Sequence, residues 1–424
     1  MTGWRRALVA AIVVTAFAGA CGSPAVDDPE FNGERLFADV QRYAELGPHV
    51  SGGAGDKATR DWIASELAAA GYKVEINDVP HRIWRPGPTT ITAGEGTIEA
   101  MVLGWPPETP SARLVAGPLR AAADADEGDI ALIRLVRPIT GPLPADAQTQ
   151  LDDALARGAA GAVVITETIS GAPYAFNLRR DEEPRRAPVV VAGSLPGESL
   201  DGVLAEGREV QISIDGVYTR GGSWNVVGRL DRAGTRTVTV STPRTGWGTS
   251  GAERGPGVAI FLALAHWAAR TGDADLVFVA TGAHEIGHSG IDQFLAAGAP
   301  PTAQTALWLH LGSSIAAWSW ADEASKSAAK PSGENTGTRW LVYSTDLTFA
   351  VWRLFAGLDH QHSPAWISAF GEAADIRSAG YRTFFAFSGA HDYFHLPGDD
   401  AASTAPELLE PRARAAAALM SRSL

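Results

Sequence analysis

Asp275-Leu-Val-Phe-Val-Ala-Thr281 runs through Gly-Ala into His284-Glu285-Ile-Gly-His288-Ser-Gly290, and the reading of this stretch decides the fold. His284 to His288 is a His-Glu-x-x-His pattern, which inside a helix sets two imidazoles on one face with a glutamate between them. Here the pattern comes straight off a continuous apolar run, which reads as a buried strand, and Ser289-Gly290 follows at once. Ile291 stands where the longer, three-histidine form of the pattern has glycine, and no third histidine follows at its spacing. The stretch therefore reads as strand, turn and a new helix over about Gly290–Ala297.

The same alternation extends to both sides. Trp224-Asn-Val-Val-Gly228 and Thr237–Ser241 read as strands, Gly257–Thr271 as a helix, Ala306–Leu311 as a strand, and a last helix begins near Ala405. Upstream, Leu36, Val40, Tyr43 and Leu46, then Trp62, Ile63 and Leu67, recur at helical spacing with a break at Gly47-Pro48, before a strand at Tyr72–Ile76. The expectation is an α/β domain over 34–80 and 218–424, its mostly parallel sheet flanked by helices. From His81 to Val217 short apolar runs alternate with Pro/Gly-rich turns around one helix at Asp146–Arg157, so 81–217 reads as a β-rich insertion. Ala321–Thr338 is polar and reads as an exposed loop, as does His360-Gln-His362.

With 424 residues and 45 % apolar content the chain is globular and exceeds one ordinary core. A formal charge of -13 argues against a nucleic-acid partner. The single cysteine, Cys21, excludes a disulfide framework and a cysteine-built metal site. Arg5 and Arg6, the apolar run Ala7–Phe17 and small residues 18–20 read as a signal peptide, its apolar run shorter than the ~20 residues a bilayer span needs. Ala-Gly-Ala-Cys21 resembles the lipobox of bacterial lipoproteins, which implies acylation of Cys21 at the end of a 1–21 signal segment. A 22–33 tether and a membrane-anchored, exported protein follow from it.

Ligands of open α/β sheets gather at the carboxyl ends of the strands. His284-Glu285, His310 and the segment His391-Asp392-Tyr-Phe-His395-Leu-Pro-Gly-Asp399 all fall there. Leu46-Gly-Pro-His-Val-Ser-Gly52, Ala70-Gly-Tyr-Lys-Val74, Trp224-Asn-Val-Val-Gly-Arg-Leu230 and Phe394-His395-Leu-Pro-Gly-Asp399 together resemble the co-catalytic zinc aminopeptidase family. That family includes bacterial leucyl aminopeptidases, glutamate carboxypeptidase and glutaminyl cyclase. The 81–217 segment is similar to the protease-associated domain that many members carry.

The resemblance implies a metal site, and this chain departs from it. Pro243-Arg-Thr245 stands at the His-x-Asp motif, Glu253 at the bridging aspartate, His284-Glu285 at the Glu-Glu pair, and His310 at the later aspartate; His395 is retained. Proline binds no metal, so the resemblance implies at most one zinc ion, on Glu253, Glu285 and His395, with His310 as a further candidate ligand. His284 then stands at the position of the general base, with an imidazole that titrates near neutrality, or serves as an extra ligand. Asp392 and Asp399 are candidates to orient an imidazole from behind.

Two function classes follow. One is a cell-surface zinc hydrolase acting on a peptide or small amide, an exopeptidase or amidohydrolase; a His-Glu-x-x-His zinc protease is a lesser alternative. The other is a non-catalytic binding or scaffold lipoprotein that keeps the fold without the metal, because Arg254 would compete with a metal for Glu253. Convergence of Glu253, Glu285 and His395 on one point favours the enzyme; Arg254 paired to Glu285 favours the binder. The tryptophans of the C-terminal third, from Trp308 to Trp366, include candidates for an apolar pocket above the sheet.

Overall fold

A computed structural model describes residues 26–136, 141–194, 199–334, 338–364 and 369–424; the signal segment and Cys21 lie outside the described residues. Buried apolar runs form the centre of the sheet. Thr237–Pro243 pairs in parallel with Asp275–Thr281 on one side and with Thr305–Leu311 on the other, and Thr305–Leu311 pairs in parallel with Phe384–Gly389. These strands are buried along most of their length, even the Thr-Val-Thr-Val-Ser-Thr-Pro243 strand, because helices cover both their faces. The helix Gly255–Ala268 is buried along nearly its whole circumference, with Gly33–Glu45 and Pro406–Met420 packed around it. Each of its large side chains, Ile260, Phe261 and Leu264, contributes about 1.5–3 kcal/mol by burial. Phe294 of the helix Ser289–Ala297 and Ile376 of Glu372–Ser378 pack with Trp308 in a separate core cluster.

An antiparallel ribbon leads away from this sheet. Glu209–Leu230 pairs with Asp275–Thr281 at one end and with Lys73–Ala93 along most of its length, from Lys73↔Arg229 to Thr92↔Gln211. The strand expected at Tyr72–Ile76 is therefore much longer. Pro80 and Pro86 interrupt its alternation in the sequence, and a register shift falls between Pro86 and Thr89. Beyond the ribbon, Leu114–Ala121, Ile130–Val136, Gly161–Glu167 and Val189–Gly193 pair in parallel, with the helix Ala145–Ala156 between two of them. This strand-rich region also carries a helix at Ser199–Glu206, a core of its own around Ile91, Val163 and Leu200, and a second core around Ile133, Leu151 and Val164 that it shares with Trp320, Tyr393 and Leu396 of the α/β layer.

The His-Glu-x-x-His segment is not helical. The strand ends at Thr281 and the next helix starts at Ser289, with Ala283, Gly287 and His288 at φ 52°, 60° and 61°. A Cβ on Gly290 would lie 2.1 Å from the Gly282 carbonyl oxygen, so the turn folds back too tightly for a larger residue there. Two expected loops carry structure. Asp322 forms a capping box with Ser325 and starts a short helix, Glu323–Ser327. His362 lies in the edge strand Gln361–Pro364, beside His360, whose Nε2 meets the Ile315 carbonyl at 3.2 Å.

Candidate functional site

The loops after the central strands carry the candidate side chains to one end of the sheet. Glu253 lies in the turn that opens the helix Gly255–Ala268, and Asp399 holds that turn by accepting the N–H groups of Ala252 and Glu253 at 2.9 and 3.0 Å. Glu285 lies in the turn after Asp275–Thr281. His395 has φ 59°, and its Nδ1 meets the Ala175 carbonyl at 2.7 Å. A carbonyl accepts only, so Nδ1 carries the proton and Nε2 faces Glu253 Oε1, 3.4 Å away.

Glu253, Glu285 and His395 do converge, and the group they converge on is Arg254. Its Nη2 lies 3.0 Å from Glu253 Oε1 and 3.1 Å from Glu285 Oε1, all three side chains being almost fully buried. Arg254 Nε donates to the Thr245 carbonyl at 2.8 Å, and Thr245 Oγ1 donates to Glu285 Oε2 at 2.6 Å. Both oxygens of Glu285 are thereby taken. Burial alone would raise the Glu253 carboxyl, but the Arg254 guanidinium and His395 overcome it and hold the group at about 2. Burial works against the Arg254 charge too, and Glu253 and Glu285 more than compensate. The centre thus carries a fixed cation among its carboxylates, at a helix N-terminus that by itself disfavours one.

The zinc ion that the resemblance implies does not fit this arrangement. An ion within the ~2.0–2.2 Å zinc–oxygen range of Glu253 and Glu285 would sit against a guanidinium already bound to both. Among the described residues no group of three or more His, Cys, Asp or Glu is placed to hold a metal ion. One contact points the other way: buried His395 Nε2, with no hydrogen-bond partner, faces Glu253 Oε1, whose ion-pair partner is Arg254. Nearby, at Pro243-Arg-Thr245, the Arg244 side chain forms a fully buried ion pair with Asp56 instead.

His284 is turned away from the carboxylates of this centre. Its Nδ1 lies 2.8 Å from Glu372 Oε1, and Thr281 Oγ1 donates to the same carboxyl at 3.1 Å. Burial, helped by Arg254, pushes the His284 imidazole well down, and burial pushes Glu372 up to about 7, so both groups are shifted toward their uncharged forms. His288 stacks on His284 at 4.6 Å and puts its own Nδ1 2.8 Å from Asp375. The two histidines of the pattern are adjacent, each committed to a carboxylate. His310 Nδ1 is 2.9 Å from Ser241 Oγ, which also accepts from Trp308 Nε1 at 2.8 Å; burial drives that imidazole down to about 3.

Asp399 pairs with His391 Nε2 at 3.1 Å, not with His395. Asp392 accepts from Ser319 Oγ and the Trp320 N–H at 3.0 and 2.8 Å, beside a cavity of about 520 Å³ also lined by Tyr174, Trp320 and Phe394. Of the C-terminal tryptophans, Trp308 is fully buried in the core and Trp352 is 61 % exposed. The tryptophans of the cavity that reaches Glu285 are instead Trp84, Trp105 and Trp247. Sequence reasoning also missed Glu372 and Asp56. Glu372 leaves one signal, a lone acid between Phe370-Gly371 and Ala373-Ala374; Asp56 leaves none, since nothing local marks it as the partner of Arg244.

No family model matches the sequence, and no curated protein matches it. Solved structures do match in fold. A zinc aminopeptidase from Bacillus subtilis is 17 % identical with a TM-score of 0.70, over 92 % of this chain and 95 % of that one. A peptidase M28 precursor from Shewanella amazonensis SB2B is 18 % identical with a TM-score of 0.67, over 92 % and 95 %. The aminopeptidase from Aneurinibacillus sp. strain AM-1 is 16 % identical with a TM-score of 0.65, over 93 % and 94 %. This chain has the mixed α/β fold of zinc aminopeptidases, with a large central sheet flanked by helices.

Proposed function

We propose that this protein is an exported lipoprotein, anchored through Cys21, that uses the aminopeptidase fold to bind a peptide or small amide without metal chemistry. The observation that carries the reading is Arg254, whose guanidinium joins Glu253 to Glu285 where the resemblance implies a zinc ion. A guanidinium polarises no water as a nucleophile, and the imidazole at the position of the general base is already committed to Glu372. Cavity and fold then remain as a binding surface.

A second reading rests on a separate observation. Buried His395 Nε2 has no hydrogen-bond donor and faces Glu253 Oε1, the oxygen that Arg254 neutralises, at 3.4 Å, so a cation bound by both would have to take the place of Arg254. Their separation is that of two ligands about 2 Å from one tetrahedral ion. In this reading Arg254 swings aside and one zinc sits on Glu253, Glu285 and His395, as in a zinc-dependent exopeptidase or amide hydrolase. Metal analysis of the soluble chain from residue 22, before and after incubation with excess zinc, separates the two. The binding reading expects no stoichiometric metal. One zinc per chain, lost in Glu285→Ala and in His395→Ala, overturns it.

A further inference from the structure

A cavity of about 260 Å³ lies between the α/β layer and the strand-rich region and ends at Glu285. Its walls are preformed. Leu178 N–H donates to the Glu285 carbonyl at 2.9 Å, and Leu178 and Ile286 form a parallel bridge that stitches the two regions together. Trp247 Nε1 donates to Asn177 Oδ1 at 2.8 Å, which fixes the indole from one region onto the other. Across from it, the Trp84 ring packs against Tyr218 at 4.9 Å and lies under the Arg113 guanidinium at 4.7 Å. Trp105 and Phe176 complete an apolar, aromatic lining.

The charged groups of the lining are all spoken for. Glu285 gives one oxygen to Thr245 and the other to Arg254. Arg82 pairs with Glu108 at 2.9 Å. His81 Nδ1 meets the Val79 carbonyl at 3.1 Å, and burial lowers its imidazole toward the neutral form. A ligand ammonium entering here would find no free carboxylate and would lie toward the Arg254 guanidinium. Burying an unpaired charge is costly, whereas an uncharged aromatic group gains the whole apolar wall. The volume suits one capped residue and falls below the ~300–1,000 Å³ of sites for drug-sized molecules.

We infer that this cavity binds an uncharged aromatic amide, such as an end-capped peptide residue, and discriminates against a free α-ammonium terminus. The inference rests on the binding reading above and names the chemistry of its ligand. The test is calorimetric titration of the chelator-treated chain from residue 22, at about pH 6, with N-acetyl-L-phenylalaninamide and with L-phenylalaninamide. The two share the ring and the carboxamide and differ in the charged amine. The acetylated amide is expected to bind at least about 10-fold more tightly, and Trp247→Ala to weaken it at least about 5-fold. Trp105→Ala, on the other wall, gives the same result should the first variant fail to fold. Equal or tighter binding of L-phenylalaninamide overturns the inference and leaves the binding reading standing. Failure of both amides to bind, with zinc or without it, overturns the inference. Binding that appears only on adding zinc overturns the binding reading itself.

Discussion

Replacing Arg254 by methionine removes the cation that pairs with both Glu253 and Glu285. The size of the effect follows from the Glu253 carboxyl. Its value falls from 4.5 to about 2 in the folded chain, which corresponds to about 3 kcal/mol of stabilisation. Because the folded value is the lower one, that stabilisation is present above pH 4.5 and is lost as pH falls toward 2. Removing one partner of a buried ion pair costs about 3–5 kcal/mol on the same scale. Without Arg254 burial dominates and Glu253 takes up a proton more readily, so the loss shrinks on acidification. Urea unfolding of both proteins with a chelator, at about pH 7.5 and about pH 5, measures this. The variant is expected to lose about 3–5 kcal/mol at the higher pH and clearly less at the lower. Zinc is then expected to restore stability to the variant alone, by about 2.7 kcal/mol at a hundred times its dissociation constant. A loss below about 1 kcal/mol, or an equal loss at both pH values, refutes the reasoning.

Three further outcomes are expected. Glu372 is raised from 4.5 to about 7, so its contribution is full below 4.5 and is lost as pH rises through 7; Glu372→Gln should gain up to about 3 kcal/mol on the wild type between about pH 4.5 and pH 8, read from stability against pH. Asp399→Ala strips the acceptor from the Ala252 and Glu253 N–H groups and from His391, and is expected to cost about 2–4 kcal/mol in chemical denaturation. Arg244→Met and Asp56→Leu should each cost about 3–5 kcal/mol, while the double variant costs less than their sum, with a coupling above about 1 kcal/mol in a double-mutant cycle.

The α/β layer was legible because its strands are buried on both faces. Asp275–Thr281 carries an unbroken apolar run from Leu276 to Ala280, and the structure has the strand at the same residues. Helix ends moved by a few residues where no side chain caps them, as at Arg254, whose helix begins at Gly255 and not at Gly257. The ribbon was hidden because its pairing is long-range: Lys73–Ala93 contains prolines and few alternating apolar residues, and it is extended only because Glu209–Leu230 lies beside it. At the site, motif positions pointed to Glu253, Glu285 and His395. The orientation of Arg254 was not readable, since adjacency in sequence does not say to which side of the turn a guanidinium points. The cavity was hidden for the same reason as the ribbon. Trp84, Trp105 and Trp247 come from three distant segments and meet only through the fold.

The central claim, that a guanidinium stands where the resemblance implies a zinc ion, is tested most directly by diffraction. Crystals of the soluble chain soaked in zinc and measured at the zinc absorption edge should show Arg254 between Glu253 and Glu285, with no anomalous peak within ligand distance of His395 Nε2. An anomalous peak bound by Glu253, Glu285 and His395, with Arg254 displaced, contradicts the account and restores the zinc hydrolase.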